Sequence, residues 1–306
     1  MSGSLAIVIP AYKATYFRET LESIAAQTDK RFTLYIGDDC SPHDLKSIVD
    51  EYSERINIVY HRFEENLGGR DLVAHWERCV ALTQDEEYIW LFSDDDVISS
   101  SCVSDFYKKI DNDDSRDVYR FNVNVIDNHG NKLRTISYPE TISSRQLYVD
   151  KIKGRLECFV VEYIFKRSVY KNNRGFVKFD LAWGSDLATW VKFGEHTGIV
   201  TIDSPGISWR SSGINISTDY NPATLTRKVA ALVDCLKWGE RQYPDAEVRK
   251  VNRDGLISRL STIGEASSFS LGLKGISLYA DAHTERLALS AKYSVYYIYK
   301  KIRNVL

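Results

Sequence analysis

Cysteine is scarce in this sequence, and no cysteine has an evident partner. The five cysteines are odd in number, show no C-x-x-C spacing and have no histidine cluster nearby; they are Cys40, Cys79, Cys102, Cys158 and Cys235. This scatter disfavours both a disulfide framework and a zinc site. A reducing cytoplasm is therefore the compartment that we expect.

Charge excess and long apolar runs are also missing. The 306 residues carry 40 basic and 42 acidic side chains, so no overall positive field favours nucleic acid as a partner. No stretch approaches the roughly 18 apolar residues that span a bilayer, and residues 1–4 lack the regions of a signal peptide. We expect a soluble or peripheral protein. Its 43% hydrophobic content suffices for one large domain and an appendage.

Strand and helix patterns alternate through the first 110 residues. Apolar runs at 5–9, 32–36, 56–60 and 88–92 predict strands, the first of which stops at Pro10. Residues with helical spacing follow each of the first three runs, as Phe17, Leu21 and Ile24 do. This alternation predicts right-handed βαβ units and an α/β fold with a mostly parallel sheet.

The alternation stops after Ile110. Residues 117–125 are predicted to form an exposed or edge strand that returns antiparallel over 132–138, and residues 158–165 a further strand. A helix is predicted to begin at Asp186, and the pattern is helical from residue 222 onward. We therefore expect a domain over residues 1–221 and a helical C-terminal region over 222–306.

Three consecutive carboxylates follow the fourth apolar run directly, at Asp94, Asp95 and Asp96. In open α/β sheets, ligands bind in the crevice beyond the carboxyl ends of the strands. Magnesium and manganese are commonly held by one or two carboxylates together with substrate phosphates, so the triplet indicates a metal-phosphate site. The alternative is an acidic N-cap for a helix that begins near Ser100, and one aspartate could cap while its neighbours bind metal.

Four segments, taken in order along the chain, resemble the motifs of one enzyme family. Their order and spacing are similar to those of the family 2 glycosyltransferases, which have the GT-A fold, a Rossmann-like mixed and mostly parallel sheet flanked by helices. The resemblance covers about residues 5–217. The segments are Ile7-Val8-Ile9-Pro10-Ala11-Tyr12, Tyr35-Ile36-Gly37-Asp38-Asp39-Cys40-Ser41, Ser93-Asp94-Asp95-Asp96 and Gly184-Ser185-Asp186.

The first two segments imply a nucleotide site. By resemblance, the residues that hold the base and the ribose are Pro10, Ala11, Tyr12, Asp38 and Asp39. The residue types suit this role, because a tyrosine can lie against a base and a carboxylate can accept hydrogen bonds from a base imide or a ribose hydroxyl. For the two aspartates, an Asx-turn before Ser41 is the alternative.

The third segment occupies the DXD position of the family, although Ser93 stands where the first aspartate of a strict DXD often lies. The resemblance implies Asp95 as a ligand of Mn²⁺ or Mg²⁺, Asp94 on the ribose or metal side, and Asp96 as a second ligand or a cap. A cation bound there would offset the charge that builds on the diphosphate leaving group.

The fourth segment implies the catalytic base. Asp186 resembles the carboxylate that takes the proton of the acceptor hydroxyl in an inverting transfer, as that oxygen attacks the anomeric carbon. The alternative is that Asp186 only caps a helix. Trp183 is expected either to offer an apolar platform to a sugar ring or to belong to the core.

Two departures from the family pattern concern arginines. The loop at residues 66–71 lacks the segment that family members often carry there, and Arg70 could contact a phosphate or simply be a solvated loop charge. In the segment 208–215, Ser212 stands near the place of a histidine found in many relatives. Contact of Arg210 with the diphosphate is expected, whereas a histidine ligand to the metal is not.

The C-terminal segment 292–303 mixes aromatic residues with a basic end. This composition suits the interface of an anionic membrane, and a helix packed on its own protein is the alternative. The expected localisation is cytoplasmic, with peripheral contact at the inner membrane face if the acceptor is lipid-linked.

The resemblance implies a metal-dependent, inverting hexosyltransferase. It would move a sugar from a nucleoside diphosphate donor, expected to be a UDP-sugar, to a hydroxyl of a glycan or lipid-linked oligosaccharide in surface polysaccharide synthesis. A sugar-nucleotidyltransferase is one alternative, but residues 11–15 do not form the Gly-rich phosphate loop that such enzymes normally show. A non-catalytic nucleotide-sugar-binding protein is the other.

Overall fold

The computed structural model describes residues 3–112, 115–213, 219–266 and 268–303. The chain forms two compact units. The first unit comprises Met1–Ser144, Cys158–Val177 and Thr189–Gly213, and the second unit comprises Arg145–Glu157, Lys178–Ala188 and Ile214–Leu306. The division at residues 221 and 222 stays a prediction; the second unit combines the C-terminal helices with two earlier segments.

The first unit is built on one mixed sheet. In chain order its strands are β1 (Leu5–Ala11), β2 (Phe32–Asp38), β3 (Ile58–Arg62), β4 (Tyr88–Leu91), β5 (Val97–Ile98), β6 (Val118–Ile126), β7 (Lys132–Ile136), β8 (Thr141–Ile142), β9 (Tyr163–Lys166) and β10 (Ile199–Arg210). Their spatial order is β3-β2-β1-β4-β9-β6-β10-β5, with β7 paired to β6 and β8 to β10. Along this path only β9 and β5 run against the other strands. The predicted mostly parallel α/β sheet is confirmed.

The helices are α1 (Phe17–Ala25), α2 (Leu45–Asp50), α3 (Leu72–Val80), α4 (Cys102–Asn112), α5 (Ser144–Ile152), α6 (Arg167–Asn172), α7 (Ser185–Phe193), α8 (Pro222–Gln242), α9 (Ala246–Ala266), α10 (Phe269–Tyr279) and α11 (His283–Arg303). A 3₁₀ turn spans Asp180–Ala182. The helical periodicity is confirmed in α1, where Phe17, Leu21 and Ile24 are buried on one face. The helical C-terminal region is confirmed by α8 to α11.

β1 differs from its prediction at its end. It continues through Pro10 to Ala11, in register with β2, where Pro10 lies opposite Gly37. Proline is tolerated there because the pairing of β1 with β4 covers only Leu5 to Val8, so the missing N–H removes no bond to β4.

The strand predicted at 117–125 is present as β6, but its predicted exposed or edge position is wrong, because β6 lies inside the sheet between β9 and β10. Two polar side chains of β6 bond to the segment that follows. Asn122 accepts a hydrogen bond from the backbone N–H of Tyr138, and Asn124 accepts one from the Thr135 hydroxyl. The strand predicted at 158–165 is also too long, and the third strand begins two residues later than expected.

A bulge in β10 adjusts its register with β6. The pairing shifts between Ile202 and Ile207, and Gly206 has φ +71°. A Cβ at Gly206 would meet the carbonyl oxygen of Asn122 at 2.1 Å, so only glycine fits. Beyond the bulge, Arg210 lies opposite Ile126 at the carboxyl end of both strands.

The second unit is a helical assembly in which α9 contacts α8, α10 and α11. Its core includes Leu236, Leu260, Ile276 and Tyr293, all fully buried. Within the described part of the chain, no helix is both long and apolar enough to cross a bilayer. None of the five cysteines, all of which lie in the described residues, forms a disulfide.

Candidate functional site

Three of the four predicted segments meet at one edge of the sheet in the first unit. β2, β1 and β4 are parallel neighbours, so their carboxyl ends lie side by side. The segments also bond to one another. The backbone N–H of Asp39 donates to Ala11 O (2.8 Å), the Ser41 hydroxyl donates to Tyr12 O (2.6 Å), and the N–H of Tyr12 donates to Asp94 Oδ2 (2.8 Å).

Asp38 is fully buried at the tip of β2, and both its oxygens are engaged. Oδ1 accepts from the N–H of Ser41 at 2.7 Å, which is the turn contact foreseen as the alternative. Oδ2 accepts from the Tyr60 hydroxyl at 2.5 Å and from Arg62 Nη1 at 2.8 Å. Tyr60 and Arg62, which both lie on β3, therefore belong to the surroundings of Asp38. The sequence analysis did not identify them.

Asp39 anchors the loop that precedes α3. Its carboxylate accepts from the N–H groups of Leu67 and Gly68, each at 2.8 Å, and from Arg78. A Cβ at Gly68 would lie 2.7 Å from Asp39 Oδ2, so the close approach favours glycine. Asp39 therefore holds the loop as well as presenting a carboxylate at the strand tip.

Two further side chains of this region, Arg70 and His75, differ in their exposure. Arg70 is exposed on the loop and pairs with exposed Glu65 at 2.6 Å, which is the solvated arrangement foreseen as its alternative. His75 is buried on α3 beside Asp39, and burial lowers the pKa of His75 to about 4 although Asp39 opposes the shift. At neutral pH, His75 is therefore uncharged.

Asp94 and Asp95 converge on one ammonium group. Lys13 Nζ lies 2.5 Å from Asp95 Oδ2 and 3.5 Å from Asp94 Oδ1. The other oxygen of Asp94 accepts from the N–H groups of Tyr12 and Lys13, at 2.8 and 2.7 Å. The acidic segment is thus hydrogen-bonded to the segment after β1. The ammonium of Lys13 lies between the carboxylates of Asp94 and Asp95.

Sequence reasoning missed Lys13. Its position directly after Tyr12, in a segment predicted to end beside the acidic triplet, was the signal that could have found it.

Asp96 has a different environment. Its Oδ1 accepts from the N–H of Arg210 at 2.6 Å, and its Oδ2 accepts from the Ser93 hydroxyl at 2.7 Å. Asp96 therefore tethers the end of β4 to the end of β10.

The helix-cap alternative for the acidic triplet is wrong. The first N–H groups of α4 donate elsewhere, that of Cys102 to Ser99 O and that of Val103 to Gln27 Oε1. β5 intervenes between the triplet and the helix. Asp94 and Asp96 instead bond to the segments that follow β1 and β4 and to the end of β10.

Burial disfavours the charged form of the aspartates in the triplet, and positive charge nearby opposes that effect. Burial raises the pKa of Asp94, against the opposing effect of Lys13, and burial together with Asp95 raises the pKa of Asp96 well above its usual range. Burial alone would lower the pKa of Lys13, but Asp94 and Asp95 outweigh it and raise that pKa. Lys13 is therefore the resident counter-ion of the site.

Arg210, expected to contact a diphosphate, is only 1% exposed. Its Nε donates to Asp95 O at 2.9 Å, its Nη2 pairs with Glu19 at 2.6 Å, and the guanidinium lies 4.2 Å from the centre of the Tyr16 ring. These contacts fix the backbone of the acidic loop. Contact of Arg210 with a diphosphate stays a prediction. It would require Arg210 to break some of the contacts with Asp95, Glu19 or Tyr16.

The carboxylate oxygens of the acidic triplet are the ligand type that a hard divalent cation prefers. Among the residues that the structure describes, no three His, Cys, Asp or Glu side chains form a group able to hold a metal. Mg²⁺ and Mn²⁺ do not require such a cage, since one or two carboxylates, waters and substrate phosphates suffice. Asp94 and Asp95, which already share one positive charge, meet that requirement.

The fourth segment lies in the second unit. Leu181 and Ala182 have positive φ, as does Gly184 at +88°, where a Cβ would approach Cys235 Sγ to 2.9 Å. Asp186 follows these turns and lies in the first turn of α7, close to the predicted helix start. Burial raises the pKa of Asp186, and Lys151 opposes that shift. A raised pKa suits a general base better than an ordinary surface aspartate would.

Trp183 is half-buried in the second unit. The ammonium of Lys228 lies 4.7 Å from the centre of its ring, so one face of the indole is covered by a cation rather than open to a sugar. Ser212 is described, whereas Ile214 and Asn215 of the segment 208–215 lie outside the described residues.

Comparison with known proteins gives one family. The model of the family described as Glycosyl transferase family 2 matches residues 6–172, more than half of the chain. The poly(ribitol-phosphate) beta-N-acetylglucosaminyltransferase TarS of Staphylococcus aureus is 31% identical over 109 residues, which cover 34% of this chain. That alignment spans only 18% of the length of TarS.

Solved structures share the fold. The structure of S. aureus TarS 1-349 in complex with UDP-GlcNAc superposes with a TM-score of 0.62 at 16% identity, over 95% of this chain and 91% of that one. The mannosyltransferase PcManGT from Pyrobaculum calidifontis, in complex with GDP-Man and Mn²⁺, superposes with a TM-score of 0.54 at 14% identity, over 99% and 83% of the two chains. At such identities the likeness concerns the fold, which is GT-A. With the family match over the strands that build the site, the chain belongs to glycosyl transferase family 2.

Proposed function

We propose that this protein is an inverting glycosyltransferase that uses a nucleoside diphosphate sugar, with a UDP-sugar as the donor. The observation that carries the proposal is the convergence of Asp94 and Asp95 on a single positive charge, next to Asp38 and Asp39 at the same sheet edge. TarS was solved with UDP-GlcNAc and PcManGT with GDP-Man, which supports a nucleotide-sugar donor.

The nucleotide is assigned to the ends of β1 and β2. Tyr12 is 40% exposed and can lie against a base, while its backbone is held by Asp94 and Ser41. In the proposal, Pro10 and Ala11 line the same edge. The oxygens of buried Asp38 and Asp39 already bond to the protein, so either carboxylate would accept from the base or ribose only by sharing an oxygen.

The metal is assigned to Asp95 with Asp94. Asp96, expected from the sequence as a second ligand, has both oxygens engaged by Arg210 and Ser93, so we assign it a tethering role instead. A bound Mn²⁺ or Mg²⁺ would neutralise charge on the departing diphosphate. The Mn²⁺ in the PcManGT structure supports a divalent cation in this family of folds.

The catalytic base is assigned to Asp186. It would hold the acceptor hydroxyl and take its proton as the sugar is transferred, a task for which burial and its raised pKa suit it. Trp183 at the acceptor and Arg70 at the phosphate stay predictions from the sequence and are not assigned to the site, because each is engaged by another charge.

The acceptor is proposed to be a hydroxyl of a glycan or lipid-linked oligosaccharide in surface polysaccharide synthesis. The name of TarS, which specifies poly(ribitol-phosphate), supports a hydroxyl-bearing polymer as the acceptor class. The free thiols agree with a cytoplasmic location. Peripheral contact with the membrane through the C-terminal region is part of the proposal.

The donor site is tested by calorimetric titration of UDP, GDP, CDP and dTDP, with Mn²⁺ and with chelator. Selective binding that needs Mn²⁺ and is lost in Asp95→Ala is expected. Asp50→Ala removes an exposed carboxylate that only pairs with Lys46, and it serves as the control. Absence of binding to the intact protein under every condition would refute the donor site. Nucleotide binding without transfer to any acceptor would favour the non-catalytic alternative.

A further inference from the structure

The last helix, α11, has two apolar faces. One face packs inward through Leu289 and Tyr293, and the Tyr293 ring stacks on Phe269 at 5.1 Å. The helix is therefore packed on its own protein, as the sequence alternative held. The outward face is different: Leu287, Val295, Ile298 and Ile302 are 58%, 71%, 57% and 56% exposed.

These four residues form one stripe. At 3.6 residues per turn they fall within a sector of about 80° on the helix surface. We call them the outer stripe of α11. Isolated exposed apolar residues are ordinary, but a row of them along a helix marks a surface that meets something apolar.

Basic residues predominate around the outer stripe. No acidic residue follows Glu285 in α11, whereas Arg286, Lys292, Lys300, Lys301 and Arg303 do. By helical geometry, Lys292 and Arg303 flank one side of the stripe and Lys301 the other. An apolar stripe with basic margins is typical of a helix that lies in the interface of an anionic bilayer.

A cationic groove adjoins this surface within the second unit. It has a volume of about 620 Å³ and lies between the end of α5, α9 and α11. The basic side chains that line it are Lys151, Lys153, Arg259 and Lys292. Each of these has an acidic neighbour: Lys292 pairs with Asp254 at 2.5 Å, Lys153 pairs with Glu247 at 3.7 Å, and Lys151 and Arg259 act on the Asp186 carboxylate. Glu157 and Asp254 also line the groove, so basic side chains outnumber acidic ones in its wall by four to two.

Lys292 and Tyr296 belong both to α11 and to the wall of the groove. We propose that the second unit docks on an anionic lipid bilayer through the outer stripe of α11, and that the groove takes the phosphate of a lipid headgroup. This proposal makes the membrane contact of the proposed function more specific. It rests on that proposed function for the location of the acceptor. Docking itself requires no nucleotide.

A second copy of the chain fits this surface less well. A two-fold contact through the outer stripe would set the basic residues of α11 against those of its copy, with only Glu285 on either helix to offset them. A bilayer containing phosphatidylglycerol instead supplies negative charge along the whole surface and an apolar layer beneath it.

The test is co-sedimentation of the full chain with vesicles of phosphatidylcholine alone and with added phosphatidylglycerol. We expect binding to the anionic vesicles that weakens with salt. The variant Val295→Gln/Ile298→Gln/Ile302→Gln keeps good helix formers on an exposed face, so folding is preserved, and its partition coefficient should fall at least about tenfold. The control is Leu133→Gln, which alters a side chain that is 59% exposed on β7.

The basic margin and the groove are tested separately. Lys301→Gln and Lys153→Gln should each weaken binding to anionic vesicles about fivefold, whereas Lys108→Gln, which alters an exposed lysine on α4, should not. Glycerol phosphate is titrated as the soluble headgroup. If it binds the groove as tightly as vesicles do, the phosphate comes from a soluble ligand and the lipid assignment is overturned.

Two results would overturn the docking proposal. One is equal vesicle binding by the triple variant and the intact protein, or no binding by either. The other is a concentration-dependent dimer, detected by light scattering, that the triple variant abolishes; the stripe would then be covered by a second copy. UDP binding is measured in the same preparations, so that failure of the donor site and failure of docking are distinguished.

Discussion

Lys13 provides the sharpest test of the candidate site, because it lies where a cation would have to be. Replacing it by Met keeps the length of the side chain and removes its charge. Asp94 and Asp95, at 3.5 and 2.5 Å from the ammonium, then lose their nearest positive charge. We expect Lys13→Met to destabilise the first unit in the absence of divalent cations.

The size of the effect follows from the geometry. At an effective dielectric constant of about 20, unit charges about 4 Å apart attract by about 4 kcal/mol. Desolvation of the ammonium and the exposure of the Lys13 side chain, 30%, offset part of this attraction. A net loss of about 2–3 kcal/mol remains, which corresponds to a fall in Tm of about 5–10 °C.

The assay is thermal unfolding with and without Mn²⁺. In the intact protein Mn²⁺ has to displace or share the place of the ammonium, whereas in Lys13→Met it meets two carboxylates without a counter-ion. The rise in Tm on adding Mn²⁺ should therefore be larger in the variant, and the affinity for Mn²⁺ alone should increase about tenfold or more.

The matched control is Lys46→Met. Lys46 also pairs with an aspartate, Asp50, but on the exposed surface of α2, where such a pair contributes about 0.5 kcal/mol or less. If Lys13→Met unfolds at the same temperature as Lys46→Met, or responds to Mn²⁺ no more than the intact protein does, the assignment of Asp94 and Asp95 to a cation is refuted.

Three other changes have defined outcomes. Asp186→Asn should lower kcat by about 10²-fold or more and leave the Kd for UDP within about twofold, as measured by transfer and by calorimetry. The pKa of His75, about 4, lies below its ordinary value of 6.5, so stability should be unaffected above pH 6.5 and fall by up to about 3 kcal/mol as pH drops towards 4; urea unfolding of His75→Gln should lack this decline. Gly206→Ala, at φ +71° and 2.1 Å from Asn122 O, should cost about 3 kcal/mol or more in urea unfolding, whereas unchanged stability would contradict the bulge geometry.

Local pattern sufficed to predict the sheet edge where the site lies. β1, β2 and β4 are buried on both faces, so each is a continuous apolar run, and each run ends at a polar segment. Because parallel strands bring their carboxyl ends together, Tyr12, Asp38 and Asp94 were predictable neighbours. The position of β6 was not predictable in this way. The strand was expected to be exposed or at an edge, but it lies inside the sheet, and its Asn122 and Asn124 bond to a later segment.

The amino-acid sequence by itself therefore determined the α/β class, the helical C-terminal region and the strand tips that carry the carboxylates, since these follow from periodicity and from where apolar runs stop. Only the tertiary structure decided the separate tasks of those carboxylates. Lys13 meets Asp95 across 82 positions, and Arg210 meets Asp96 across 114. Such contacts depend on strand order and register, which bring distant residues together and leave no trace in the local spacing of either segment.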